Sequence, residues 1–218
     1  PGYLDMDADI ASFVKLARRT DCLVAGGLEY YVRGYDNRKG ITWASIEMLR
    51  AAAASFWKQG ASSIYLFNYD CHGPFPFRGE KRKAIQEIGD PVSLVGKNKH
   101  YLVSVDMNRR TAEKGGNKQL PVVLDGKRDR HVFRLFVADD LKAARSGDTL
   151  SSVELTVTAS GARSLRTRMN GHDIDPAEQT DSRLLFKSPH VVSGRNQLEL
   201  SWKSKVPGAA SRITGIEL

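Results

Sequence analysis

A carboxylate and three polar side chains follow two short apolar segments of this sequence. Glu29 ends the first segment, and Asn68, Asp70 and His72 lie at the end of the second. Parallel α/β folds place their chemistry at the carboxyl ends of strands. Glu29 is therefore a candidate catalytic residue, and the other three are candidates for substrate binding. A structural Glu29 paired with an arginine remains the alternative, and capping or turn formation accounts for Asp70 equally well.

The elements around these residues are predicted to form a β-α-β unit. Residues 22–29 and 62–69 have the apolar character of buried strands, and the stretch 43–58 between them has helical spacing of its apolar residues, with Thr42 as the predicted cap. Because side chains alternate along a strand, an inward Glu29 places Gly27 on the same side. The second strand allows two registers, with either Ile64 and Leu66 or Tyr65 and Phe67 inward.

Further helices are predicted on either side of this unit. Residues 5–19 carry apolar side chains at helical spacing, which predicts one buried face of Ile10, Phe13, Val14 and Ala17. The segment 30–41 reads as a polar loop, and residues 79–89 as a short charged helix.

The character of the sequence changes near residue 97. Eight short segments with alternating apolar residues follow, separated by turn residues. This pattern is typical of an antiparallel sandwich and predicts a jelly roll. We therefore expect α/β structure in residues 1–96 and an all-β sandwich in 97–218. The eight predicted strands are 101–107, 120–124, 131–137, 152–158, 165–170, 183–187, 196–202 and 213–218.

Composition narrows the classes of partner. The 218 residues carry a net charge of +8, but the lysines and arginines are scattered along the chain, which favours a solvated surface over a nucleic-acid interface. No apolar run approaches the ~20 residues that span a bilayer. Cys22 and Cys71 lie at opposite ends of the predicted strands and are not expected to pair. No metal or cofactor is expected, and the compartment stays open, with a secreted or periplasmic parent compatible with the sequence.

The residues of both halves resemble a known architecture. The run Gly26-Gly-Leu-Glu29, the alanines 51–54 and the segment 63–70 resemble the last two βα units of TIM-barrel glycoside hydrolases and their relatives. The segments 165–171 and 194–200 resemble the end of a galactose-binding-like sandwich. The resemblance implies the C-terminal part of a (β/α)8 barrel followed by a jelly-roll-like domain.

The resemblance also implies roles for the site residues. In the large retaining clan of these barrels the nucleophile ends strand seven and the acid/base ends strand four, so Glu29 would be the nucleophile and the acid/base would lie upstream of residue 1. Tyr31 and Tyr35 would join the substrate-binding residues, because tyrosine rings stack on sugar faces while their hydroxyls form hydrogen bonds. Trp43 and Trp57 are expected to pack on helices instead.

Two functional expectations follow from the resemblance. The first is a glycoside hydrolase fragment that binds carbohydrate and is inactive in isolation, because glycoside hydrolysis needs two carboxylates. The second is a non-catalytic carbohydrate-binding or scaffold module. In either case we expect a homodimer or an association with the missing part of the barrel, since an open barrel piece exposes apolar sheet edges.

Overall fold

The chain divides into two compact units, Pro1–Tyr101 and Leu102–Leu218. The computed structural model describes residues 4–33, 41–67, 80–105, 119–125, 127–204 and 209–218. The predicted boundary after residue 96 lies inside the first unit.

The first unit is a mixture of helices and short strands. Its described helices are α1 (Ile10–Ala17), α2 (Ile46–Lys58) and α3 (Glu80–Ile88), followed by a 3-10 turn at Val92–Leu94. Its described strands are β1 (Ala25–Leu28), β2 (Tyr31–Arg33), β3 (Ile41–Trp43) and β4 (Ser63–Leu66).

The β-α-β unit is present. Strands β1 and β4 pair in parallel, with Ala25 opposite Ser63 and Leu28 opposite Leu66, and α2 lies between them in the chain. Helix α2 begins later than predicted, because the side chain of Ser45, and not that of Thr42, caps it by accepting a hydrogen bond from the backbone of Met48 at 3.3 Å. Thr42 lies instead in β3, which pairs with β2 as a hairpin where the sequence predicted a loop.

Helix α1 is shorter than the predicted helix over 5–19. Asp9 caps it by accepting from the backbone of Ser12 at 3.2 Å. The predicted buried face is confirmed in part: Ile10 is buried and Val14 and Ala17 are half-buried, but Phe13 is 63% exposed. The helix is tied to the end of α2, since the backbone of Ala11 donates to Oε1 of Gln59 at 3.2 Å.

The second unit consists mainly of antiparallel strands. They are β5 (Val122–Leu124), β6 (Arg130–Val137), β7 (Glu154–Ala159), β8 (Leu165–Met169), β9 (His172–Asp173), β10 (Glu178–Gln179), β11 (Arg183–Lys187), β12 (Gly194–Trp202) and β13 (Ser211–Glu217). A short helix α4 (Leu141–Ser146) and a 3-10 turn (Ala162–Ser164) connect some of them.

These strands form two sheets. One has the order β10-β11-β7-β13-β5 and the other β6-β12-β8-β9. Each sheet buries alternate residues, for example Leu155 and Val157 on β7 and Leu198 and Leu200 on β12. Seven of the eight predicted segments overlap observed strands, and the eighth, 101–107, contributes a bridge from Leu102 to Glu217 beside β13.

The side chain of Gln119 covers part of the edge strand β6 of the four-stranded sheet. The side chain of Gln119 donates to the carbonyl of Arg134 at 2.7 Å and accepts from its N–H at 2.6 Å, so it pairs with β6 as a strand would. Covering unpaired backbone groups in this way blocks edge-to-edge association.

The fold class is mixed α/β with more strand (35%) than helix (23%), and its larger sheets are antiparallel. Within the described residues no barrel is closed. No helix in that part of the chain combines the length and the apolar character that a membrane crossing requires.

Candidate functional site

The candidate site lies at the carboxyl end of β1. Helix α2 packs on this strand closely enough that a Cβ added to Gly26 would be 2.6 Å from Cδ2 of Phe56. Ala51, Ala52 and Ala53 of α2 are fully buried. Small residues thus bring the helix onto the sheet and fix the direction in which β1 emerges.

Glu29 is the first residue beyond β1, and it is buried, with 3% of its surface exposed. The backbone N–H of Tyr30 donates to its Oε1 at 3.3 Å. The carboxyl ends of β4 and β1 lie side by side, since the N–H of Phe67 donates to the carbonyl of Leu28 at 2.9 Å. The predicted position of Glu29, at the end of a parallel strand, is therefore the position observed.

Two aromatic residues, Tyr30 and Tyr31, follow this carboxylate in the chain, and the ring of Trp43 packs against both. Tyr30 stacks on Trp43 with ring centroids 4.9 Å apart and planes 23° apart. Tyr31 lies 4.4 Å from Tyr30 and 4.9 Å from Trp43, ring to ring. Tyr30 is buried, Tyr31 is half-buried and Trp43 is 41% exposed, so Trp43 is the most accessible ring of the aromatic cluster formed by these three residues.

Trp43 corrects the sequence interpretation, which gave it a helix-packing role. The β2–β3 hairpin pairs Tyr31 with Trp43 across the strands and so brings a residue twelve positions away beside Tyr31. The β-branched and aromatic run Ile41-Thr42-Trp43 was the local signal for a strand. Trp57 does pack between helices, since its Nε1 donates to the carbonyl of Ile88 at 2.8 Å.

The remaining predicted binding residues lie outside the described part of the chain. Tyr35, Asn68, Asp70 and His72 belong to the ranges 34–40 and 68–79. Their assignment to substrate binding stays a prediction. Of the predicted site residues, the structure places Glu29 and Tyr31, and these two lie on opposite sides of Tyr30 in the chain.

The register of the second strand is now defined. Gly26 faces α2, whereas a Cβ added to Gly27 would meet no atom within 4 Å. Tyr65 is opposite Gly27 in β4 and is 57% exposed, so it lies on the face away from α2. Of the two registers that the sequence allowed, the observed one therefore places Tyr65 and Phe67, whose ring centroids are 6.4 Å apart, on the face opposite α2.

That face of the β1–β4 sheet carries exposed apolar side chains among the described residues. Leu23, which precedes β1, is 82% exposed. Parallel sheets are usually covered on both faces, because crossover helices pack on them from both sides. A face on which Leu23 and Tyr65 are exposed is a surface that favours contact with further structure.

A buried ion pair joins α2 and α3. Nε of Arg50 lies 2.6 Å from Oε2 of Glu87, and Nζ of Lys97 lies 2.7 Å from Oε1. The hydrogen bond from Arg50, with a smaller contribution from Lys97, lowers the pKa of Glu87 to about 2. Glu87 is thus an ionised structural carboxylate. The sequence gave no local indication of this pair, because its members are 37 positions apart.

The chain was also compared with known proteins. No protein-family model matches the sequence, and no curated protein is significantly similar to it. The function is therefore inferred from the residues and the geometry of the site.

Proposed function

We propose that this chain is the C-terminal part of a TIM-barrel glycoside hydrolase with an appended jelly-roll-like sandwich, and that Glu29 is its catalytic nucleophile. The observation that carries the proposal is the buried Glu29 at the end of a strand that pairs in parallel with β4. Carboxylates at this position perform the chemistry of many barrel enzymes.

The aromatic cluster supports a carbohydrate substrate. Trp43 offers an accessible ring, and Tyr31 lies beside it with ring centroids 4.9 Å apart. Such rings contribute large apolar contact areas next to polar groups, which suits the mixed surface of a sugar. Tyr35, Asn68, Asp70 and His72 would complete the binding residues.

Exposed apolar residues support the presence of further barrel elements. Phe13 and Leu16 of α1 are 63% and 72% exposed, and Leu23 is 82% exposed. Additional strands and helices of a barrel would cover them together with the face of the β1–β4 sheet opposite α2. The two antiparallel sheets of the second unit support the appended sandwich.

A second carboxylate is required for turnover. Retaining enzymes hold the two carboxyl groups about 5–5.5 Å apart. In the proposed enzyme the acid/base comes from a strand outside this sequence. The 218 residues alone are therefore expected to be inactive towards glycosides.

Turnover of aryl glycosides by a longer form that completes the barrel tests the proposal. Glu29→Gln should abolish hydrolysis while circular dichroism and the melting temperature stay close to wild type. Glu47→Gln, a half-buried carboxylate in the same unit, serves as the control and should retain activity. Equal turnover in wild type and Glu29→Gln would exclude Glu29 from the chemistry.

One observation favours the second candidate function, a non-catalytic carbohydrate-binding or scaffold module. Only 3% of the surface of Glu29 is exposed, and its side chain accepts a hydrogen bond from the adjacent backbone. Both features suit a structural carboxylate. In that case Glu29→Gln would lower the melting temperature and leave sugar binding at the aromatic cluster intact. Trp43→Ala would then weaken binding.

A further inference from the structure

The outward side of the sheet β6-β12-β8-β9 is rich in arginine. Its outward positions alternate with the buried ones, as Arg134 does with Phe133 and Leu135. We call this surface the arginine face. Its five arginines are Arg130, Arg134, Arg166, Arg168 and Arg195.

The strand register brings these residues together from distant parts of the chain. Ser201 of β12 pairs with Arg130 of β6 on one side and with Arg166 of β8 on the other. Glu199 pairs in the same way with Val132 and Arg168. Adjacent strands are about 4.8 Å apart, so the guanidinium groups share one continuous surface.

Two carboxylates neutralise part of this surface. Arg166 donates to both oxygens of Asp173, at 2.8 and 2.7 Å, and this pairing lowers the pKa of Asp173. Glu199 lies 3.8 Å from Arg130 and 3.9 Å from Arg168. These three arginines therefore have acidic neighbours.

Arg134 and Arg195 have no carboxylate within 4 Å among the described residues. Arg134 is opposite Gln197, and Arg195 is two residues before Gln197 on the same side of β12. Diagonal neighbours of this kind have Cα atoms about 7–8 Å apart, within reach of long side chains. Two exposed guanidinium groups can thus converge on one anion.

The other sheet provides an internal comparison. Its outward positions carry three acidic and three basic residues, so the described charges cancel, whereas the arginine face has five basic and two acidic residues. The outward charges of the five-stranded sheet are Glu154, Glu178, Glu217, Arg183, Lys187 and Arg212. The positive charge of the second unit is therefore unequal between its two sheets.

The chemistry of the face favours a polysaccharide over a nucleic acid. Proteins that bind single-stranded nucleic acids stack the bases on aromatic side chains. The outward positions described on these four strands carry a single aromatic side chain, the half-buried Phe136, which offers no series of exposed rings for stacking. Guanidinium groups donate paired hydrogen bonds to carboxylates and to tetrahedral oxyanions such as phosphate. Sulfate groups present oxygens in the same tetrahedral geometry, so carboxylated and sulfated polysaccharides both fit these arginines.

We propose that the arginine face binds an anionic polysaccharide, with Arg134 and Arg195 holding the carboxylate or sulfate groups of the chain. The ligand class rests on the carbohydrate function proposed above. The binding surface itself is separate in the sequence from Glu29 and the aromatic cluster, so binding can be measured without turnover.

Affinity electrophoresis of the 218-residue chain tests this inference, in gels containing polygalacturonate, heparin, neutral dextran or duplex DNA. Retardation is expected in polygalacturonate or heparin and not in dextran, and it should weaken as salt is raised. The double variant Arg134→Gln/Arg195→Gln should lose affinity for these polysaccharides by a factor of about ten or more. The matched double variant Arg183→Gln/Arg212→Gln removes the same charge from the other sheet and should change affinity by less than about twofold.

The outcomes separate this inference from the glycosidase proposal. Binding that depends on Arg134 and Arg195 supports the inference even if no hydrolysis is ever found. An equal loss of affinity in both double variants would show that net charge alone determines binding, and this would overturn the inference. Absence of retardation in both anionic polysaccharides, or tighter binding to duplex DNA than to either, would overturn it as well.

Discussion

Gly26 lies so close to Phe56 that a Cβ on Gly26 would be 2.6 Å from Cδ2 and 2.8 Å from Cβ of that side chain. Phe56 is almost fully buried, so it has no free space into which to move. The contact sets the distance between α2 and β1 and, through β1, the position of Glu29.

Gly26→Ala is therefore expected to destabilise the first unit. Overpacking of a tight core contact costs about 1–3 kcal/mol in the free energy of unfolding. Gly27→Ala is the matched control, because a Cβ there meets nothing within 4 Å, and its effect should stay within about 0.5 kcal/mol. Urea unfolding followed by tryptophan fluorescence measures both, and equal destabilisation by the two substitutions would contradict the packing argument.

The buried Glu87 should contribute strongly to stability. Glu87→Gln leaves Arg50 buried with its closest carboxylate removed, which is expected to cost about 3–5 kcal/mol. Glu47→Gln is the control, since Glu47 lies 3.7 Å from the same arginine but its side chain is 38% exposed. That control should change the free energy of unfolding by less than about 1 kcal/mol. Similar losses in both variants would show that burial of the pair has no special effect.

The same carboxylate predicts a pH dependence. The pKa of Glu87 is lowered from 4.5 to about 2 in the folded chain, chiefly by its hydrogen bond from Arg50. The unfolded state thus binds the proton more tightly, so the contribution is fully present above the ordinary pKa and is lost as pH falls from about 5 towards 2. Over that range the difference in unfolding free energy between wild type and Glu87→Gln should shrink. A constant difference would contradict the assigned pKa.

Asn196 should be essential to the second unit. It is buried, its Oδ1 accepts from the N–H of Val192 and from Nδ2 of Asn170, each at 2.8 Å, and its Nδ2 donates to the carbonyls of Val192 and Gly194. Asn196→Ala leaves these groups without their partner, at a cost of about 1–3 kcal/mol.

The neighbouring Gln197 provides the control for this prediction. Its side chain is exposed on the outer side of β12, so Gln197→Ala should change the free energy of unfolding by no more than about 0.5 kcal/mol. Thermal unfolding followed by circular dichroism compares the two variants. A melting temperature of Asn196→Ala equal to that of Gln197→Ala would contradict a structural role for the buried amide.

Local patterns in the sequence determined much of the fold. The apolar runs 22–29 and 62–69 predicted a β-α-β unit, and the structure confirms a parallel pair with α2 between its strands in the chain. The alternation in segments such as Gln197–Trp202 predicted antiparallel strands, and these are observed. Such patterns succeed because the period of side chains along an element depends on backbone geometry alone.

Contacts between distant residues could not be read in the same way. The sequence placed Trp43 on a helix, but pairing of β2 with β3 brings it to Tyr31, and the pair Arg50–Glu87 depends on how α2 and α3 pack. The basic residues looked scattered along the chain, yet strand register gathers Arg130, Arg166 and Arg195 on one face. The sequence by itself determined most of the elements and the position of Glu29 at a strand end. The tertiary structure alone decided which side chains meet, because register and packing join residues that no local period relates.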